Sequence, residues 1–538
     1  MSAARHIRDC AARLGGEAAL SGDMLTVRTA GGQEAQVPVP DNWTDPPRDD
    51  LLDFRHALPG RARGDQRELL LTAAVQDAAP GTGRRPDSQL REALGQPGTL
   101  PVADDVERNV LASIMREHYW VRPESTARTS RPFAFPFHAA IPANFSPPGR
   151  YKMYRSDILL FLSWDGNDID PAPVEALCEL LSDTGEFTLL DELLVAAALA
   201  SSGDGATSQI VAADLLGSDQ ATKVRGYLAR GAFHQPALDR FRADLLAALS
   251  MPLPRHDRVE AAILTLSLHL GLYYYEVAYR LGTGLEAATR AAARLDPEPA
   301  QPFAGRVLFR VGTAGDRPVR RADGCAAAWR ELDDRFLISL VPNIVAANLL
   351  HRCWQAARPG DAPENADPSD LATALDADAA LGQLVDAAAG ALAILYAEQV
   401  AGANAAELAV IAASDEPGTY LLRSIIHSHL RRTLHYRSRA VVNQLVKRSF
   451  GGSLIRRRGN VLFFELDEDL LFLLVKFVLA RRGDIELPLR EFLAELAAYG
   501  LAPQDRNEED ELAAALERLG MLHRYSDAGE AMYVRHLL

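Results

Sequence analysis

Apolar residues along this chain return mostly at helical spacing. Between 171 and 295 they recur every three to four positions in 174–181, 189–200, 208–216, 219–229, 236–249 and 258–279, with Gly, Pro, Ser or Asp at the joints. Residues 326–357 and 371–413 continue the helical pattern. Strict alternation is rarer. It predicts a strand at RVLFRVGT and two near the N-terminus, MLTVRT and AQVPVP, parted by Ala30, Gly31 and Gly32. LIRRR and VLFFEL, around Gly459 and Asn460, read as a hairpin.

Breaks in the pattern divide the chain. Residues 1–45 form a small α+β piece with a short helix over 6–14, followed by a linker rich in Pro and Asp. Residues 51–170 mix helical runs with turns and a segment of prolines and aromatics, and 171–357 form a helical domain. Residues 358–369, full of Pro, Gly, Asp and Asn, read as an interdomain linker. Then come a helical segment with a basic helix and hairpin at 371–464, and a winged-helix-like module at 465–538. The expected fold class is therefore mainly α: a multidomain helical protein with small β elements and a C-terminal winged-helix-like module.

Composition agrees with this picture. In 538 residues, aromatics make up only 7% while alanine and leucine are abundant, which favours helix. Four cysteines stand far apart with no CxxC pair, as expected in a reducing cytoplasm, and they argue against a cysteine-built zinc site. Arg5, His6, Arg8 and Asp9 interrupt any apolar leader, and no uninterrupted apolar run is long enough for a membrane span. A cytoplasmic protein without membrane attachment is expected.

Charge changes the picture. The formal net charge is -15, yet between Glu416 and Glu465 there is no Asp or Glu. That stretch carries Arg423, Arg431, Arg432, Arg437, Arg439, Lys447, Arg448, Arg456, Arg457 and Arg458, ten formal positive charges, so the remainder carries -25. Spacing predicts one helix over 420–448. His427, Arg431, His435 and Arg439 form a stripe beside its apolar row, and Arg432 and Arg437 flank the stripe. A basic helix followed by a basic hairpin can follow a phosphate backbone from two directions, which makes nucleic acid the leading partner. The candidate phosphate-binding residues are Arg431, Arg432, Arg437, Arg439, Lys447, Arg448, Arg456, Arg457 and Arg458. A dock for an acidic protein and a merely solvated face are the alternatives. Arg317, Arg320 and Arg321 form a second basic cluster, which either joins this patch or lies on a separate exposed loop.

No familiar catalytic constellation accompanies it. GxSxG, HExxH and a Walker loop are all lacking, and Gly81-Thr82-Gly83-Arg84-Arg85 has the wrong spacing for a phosphate loop. His427 and His429, two apart on a helix, point to different faces and suit a metal poorly. Asp165, Asp168 and Asp170 are the best local carboxylate cluster for a metal-dependent nuclease, but WDGNDID also reads as a simple Asx turn. His269 and Tyr273–Tyr275 read as packed core groups. Phe133, Phe135, Phe137, Phe145, Tyr151 and Tyr154 read as a belt over a helical core. Interleaved with Arg150, Lys152 and Arg155, they could instead stack on unpaired bases. No cofactor or metal is expected.

The last 73 residues give three helices and a hairpin, the winged helix-turn-helix order. The third helix, which would enter a major groove, opens Glu508-Glu509-Asp510-Glu511 and would be repelled by phosphate. The module therefore reads as a protein-docking or packing unit in preference to a groove reader. The helical body, the GGSLIRRRGNVLFFEL hairpin and the terminal module ending SDAGEAMYV together resemble DptG-type accessory subunits of bacterial phosphorothioation-dependent restriction, an antiphage defence. The resemblance covers about the last 120 residues. It implies a non-ATPase subunit of a multi-protein complex, acting on DNA beside a P-loop ATPase and a HerA/FtsK-like translocase.

Overall fold

A computed structural model describes residues 3–41, 43, 68–76, 84–121, 132–146, 157–203, 206–229, 234–295, 303, 305–312, 318–363, 366–433, 454–525 and 531–536. Helices dominate and the strands gather in small sheets, so the chain is mainly α. Among the described residues one large hydrophobic core extends from Ala3 to Val534, with a small separate group at Cys325, Ala326 and Phe463.

The axis of that core is the helix Arg255–Ala292, 38 residues long and buried along most of its length. The apolar spacing predicts a helix over 258–279, yet the helix runs on through Gly282 and Gly284 to Ala292. Both glycines admit close neighbours. A Cβ on Gly282 would lie 2.6 Å from the Phe336 ring, and one on Gly284 would lie 3.1 Å from Pro368 and Ser369. The expected linker thus leads straight into the helix Pro368–Ala377, which packs across the long helix. Asp367 caps it through the backbone N–H groups of Ser369 and Asp370.

At the N-terminus, the helix Ala3–Arg13 precedes three antiparallel strands, Gly16–Ser21, Met24–Thr29 and Glu34–Pro38. Only the last two are predicted from sequence; GEAALS lacks the β-branched residues that signal a strand. This piece rests on the helix Ala379–Gln399. That helix is long and apolar enough to cross a membrane, but 83% of its apolar window is buried inside the protein. It is a core helix.

The aromatics of 132–146 face inward. Phe133, Phe135, Phe137 and Phe145 are all buried, and Phe137 stacks on Tyr119 at 5.0 Å. This is the belt expected from the sequence. Tyr151, Tyr154, Arg150, Lys152 and Arg155 lie outside the described residues.

A four-stranded sheet joins the body to the C-terminal region. Its order is Leu501–Pro503, Val307–Val311, Val461–Leu466, Ile455–Arg458. Val307–Val311 pairs in parallel on both sides, Val307 with Leu501 and Arg310 with Glu465. After Leu466 the order is helix Glu468–Arg482, strand Glu486–Pro488, helix Leu489–Ala498, strand Leu501–Pro503 and helix Arg506–Arg518. Two further strands follow, Leu522–Tyr525 and Ala531–Arg535, and the last lies between the other two of its sheet. Glu508, one of the four acidic residues that open the third helix, is only 3% exposed and accepts the N–H of Val311 at 2.9 Å. The helix end that would enter a groove is thus seated on the central strand of the joining sheet.

Candidate nucleic-acid interface

The basic segment begins as the helix Gly418–Thr433. Its start is held by Asp386, whose carboxylate accepts the N–H groups of Gly418 and Thr419 at 3.0 and 2.9 Å. The apolar row Leu422, Ile426 and Leu430 is buried against the body. Beside it, His427 Nε2 lies 2.7 Å from Asn343 Oδ1, and Arg431 donates to Ser339 Oγ at 2.7 Å. The first two members of the expected stripe thus form a polar seam against the helix Leu340–Ala357 and the residue before it. Burial, aided by Arg423 and Arg431, pushes the His427 pKa down to about 3, so this imidazole adds no charge at neutral pH. His429 turns elsewhere, with Nδ1 3.0 Å from the Tyr396 hydroxyl. The two histidines serve different helices and share no site.

Arg431 and Arg432 remain exposed at the end of this helix. Arg432 is folded back on Ser428, 3.1 Å from both its carbonyl and its hydroxyl. Arg437, Arg439, Lys447 and Arg448, with His435 and the rest of the expected helix, lie outside the described residues.

The hairpin forms as expected, Arg458 pairing with Val461, Arg457 with Leu462 and Arg456 with Phe463. Gly459 supplies the positive φ of 56° that the two-residue loop requires. Its arginines differ in their partners. Arg456 lies 2.8 Å from Asp467 and 3.4 Å from Glu465, and Glu465 is also 3.0 Å from the buried Arg310. Charges alternate along this row, so Arg456 belongs to the joining sheet. Arg457 is exposed and donates locally, to the Gly459 carbonyl at 3.0 Å. Arg458 is half-buried. An acid-free window in sequence is not acid-free in space, because Glu465 and Asp467 stand just beyond its end.

Next to the hairpin lies part of the second basic cluster. Val319 packs in a small apolar group with Val461, Phe463, Cys325 and Ala326. Arg320, Arg321 and Arg330 are exposed, and Arg330 donates to the Arg321 carbonyl. The helix Gly324–Glu331 leads through a wide π-type turn, Leu332–Leu337, to Ser339, which receives Arg431. Arg317 lies outside the described residues.

Other candidate groups are committed elsewhere. Asp165 Oδ1 accepts the N–H groups of Asn167 and Asp168 at 2.7 and 2.9 Å, the expected Asx turn. Asp168 binds Arg225, and Asp170 caps the helix Pro171–Ser182. Among the described residues no group of His, Cys, Asp and Glu is placed to hold a metal ion. Burial pushes the thiols of Cys178 and Cys353 up to about 12, which leaves them poor nucleophiles.

Sequence reasoning missed one polar cluster. Asp244, fully buried, lies 2.9 Å from His269 Nε2 and accepts the Tyr499 hydroxyl at 2.7 Å; Arg481 is 3.5 Å away. Arg481 also reaches Tyr499 Oη and Glu495. Four elements of the body and terminal region meet there. Asp244, His269 and Tyr499 are sealed from solvent, so the cluster suits fastening better than chemistry. Only the aspartate amid the apolar face of 236–249 hinted at it. Arg481 also borders an open cleft of about 680 Å³, lined by Glu179, Asp183 and Arg258 among small apolar residues. No protein-family model matches this chain, and a search of curated proteins finds no significant relative.

Proposed function

We propose that this chain is a non-catalytic, cytoplasmic DNA-binding and scaffolding subunit of a multi-protein antiphage defence complex. The observation that carries the DNA-binding part is that Arg431, Arg432 and Arg457, within one acid-free stretch, are exposed on a chain of formal charge -15. An acidic protein that concentrates cations in one stretch does so against the net repulsion of a polyanion, and guanidinium suits phosphate oxygens in geometry and charge. Binding of this kind is independent of base sequence. The scaffolding part rests on the C-terminal element order and its resemblance to DptG-type subunits. A P-loop ATPase and a HerA/FtsK-like translocase are the partners that the resemblance implies.

A second reading, an adaptor for an acidic protein, draws on the row Arg310–Glu465–Arg456–Asp467, where these guanidinium groups already take carboxylates. Fluorescence anisotropy with labelled duplex DNA, competed by unlabelled duplex and by polyglutamate, separates the two. The DNA reading expects salt-sensitive binding that polyglutamate displaces poorly. It also expects Arg432→Ala/Arg457→Ala to flatten the plot of log affinity against log salt by ~0.9 for each phosphate no longer neutralised. No binding by the wild type at low salt sinks the DNA reading.

A further inference from the structure

We infer that the phosphate-binding face is built from two separate segments of the chain, with Arg320, Arg321 and Arg330 joining Arg457 at the hairpin to grip the backbone of duplex DNA. This rests on the DNA reading above and adds residues and a substrate class to it. The juxtaposition is fixed by packing. Val319 and Val461 both pack on the buried group Cys325, Ala326 and Phe463, and Val461 and Phe463 pair across the hairpin with Arg458 and Arg456. The residues that follow Val319 are therefore held beside the arginine strand. The turn is rigid: Asp323 Oδ2 accepts the Arg320 N–H at 2.8 Å, and the Asp323 N–H returns to the Arg320 carbonyl at 3.1 Å. Arg330 reaches back to the Arg321 carbonyl and closes the loop. Asp323 is the sole carboxylate in 318–330, and it is occupied by this turn. The result is a held backbone turn that presents exposed Arg320, Arg321 and Arg330 beside the hairpin, while the nearby carboxylates Glu331, Glu465 and Asp467 each face an arginine, Arg335 or Arg456.

Among the described residues, the aromatics packed beside the hairpin favour one class of nucleic acid. Trp329, Phe463 and Phe464 are 3%, 1% and 0% exposed, so none of them can stack on an unpaired base. Single-strand recognition commonly relies on such stacking, whereas duplex recognition through phosphates needs only cations in register. Duplex DNA, with the higher charge density, is the better ligand for this array.

The test measures binding of a short labelled duplex and of its single strand across a salt series. The proteins are wild type, Arg320→Ala/Arg321→Ala, Arg320→Lys/Arg321→Lys and Arg457→Ala. The alanine pair should flatten the duplex salt dependence by about 1.8, two phosphates at ~0.9 each, and the lysine pair should retain it. Duplex should bind more tightly than single strand. If Arg457→Ala weakens binding while the alanine pair leaves the salt slope unchanged, the two-segment face is wrong and the DNA reading stands. Tighter binding of single strand overturns the duplex assignment. A wild type that binds neither overturns the reading and this inference together.

Discussion

Replacing Asp244 with Asn tests whether the sealed cluster fastens the terminal region to the body. The change is nearly isosteric, so it leaves no cavity to confuse the result. It removes the carboxylate that serves both His269 and the Tyr499 hydroxyl and that lies 3.5 Å from Arg481. His269 and Tyr499 share the single oxygen Oδ2, so the amide oxygen can accept both. Losing the charge weakens two charge-assisted bonds, at a combined cost of roughly 1–3 kcal/mol. Arg481 keeps Glu495 at 2.7 Å, so the lost charge pair adds only about 1 kcal/mol instead of the larger penalty of a stranded buried ion. The expected total is about 2–4 kcal/mol. Tyr499→Phe removes a single hydroxyl and should cost ~1–2 kcal/mol. Because both changes disrupt one network, the double variant should fall short of the sum of the singles by ~0.5 kcal/mol or more. Urea unfolding followed by far-UV circular dichroism reads all three values. If Asp244→Asn costs under about 0.5 kcal/mol, or the costs are additive, the cluster is not a fastening and the reasoning fails.

Three further outcomes are expected. Arg456→Ala should lower stability by ~1–2 kcal/mol in urea unfolding and leave the salt dependence of DNA binding unchanged, since its guanidinium belongs to Glu465 and Asp467. Gly418→Ala should cost ~3 kcal/mol or more and lower the melting temperature, because the new Cβ would lie 2.6 Å from Gly390 N and still closer to the Asp386 carbonyl. His427 is held near 3 when folded, against an ordinary value of 6.5, so the unfolded chain binds the extra proton first as pH falls. Stability is therefore lost between pH 6.5 and 3, by up to about 1.4 kcal/mol per pH unit from this group, and His427→Gln should shed that part of the slope in unfolding titrations.

Much of the helical body was legible because apolar spacing reports the buried face directly. The hairpin was legible too, since Gly459 and Asn460 between alternating runs leave little choice of turn. What stayed hidden depends on neighbours distant in sequence. The pattern of 258–279 does not show that the helix continues through Gly282 and Gly284, where Phe336 and Pro368 pack closely. RVLFRVGT reads as a strand, but nothing local says that Leu501–Pro503 and Val461–Leu466 flank it. The acid-free window marks a basic region correctly yet overstates the available charge, because Arg456 is answered from residues 465 and 467. Conversely, nothing local places Arg320 and Arg321 beside the hairpin until Val319 and Val461 are seen to pack on the same buried group.

The central strand Val307–Val311 also constrains how the chain can be made. Both of its neighbours come from much later in the sequence. On a ribosome adding roughly 5–20 residues per second, the ~150 residues between this strand and its first partner take about 8–30 s to appear. Through that interval, while the helices of 324–433 are still being added to the body, two unpaired strand edges with apolar side chains stand open, an invitation to mispairing or to a chaperone. A chain stopped before residue 454 would carry that hazard permanently, so the hairpin closes the sheet during biosynthesis as well as presenting cations afterwards.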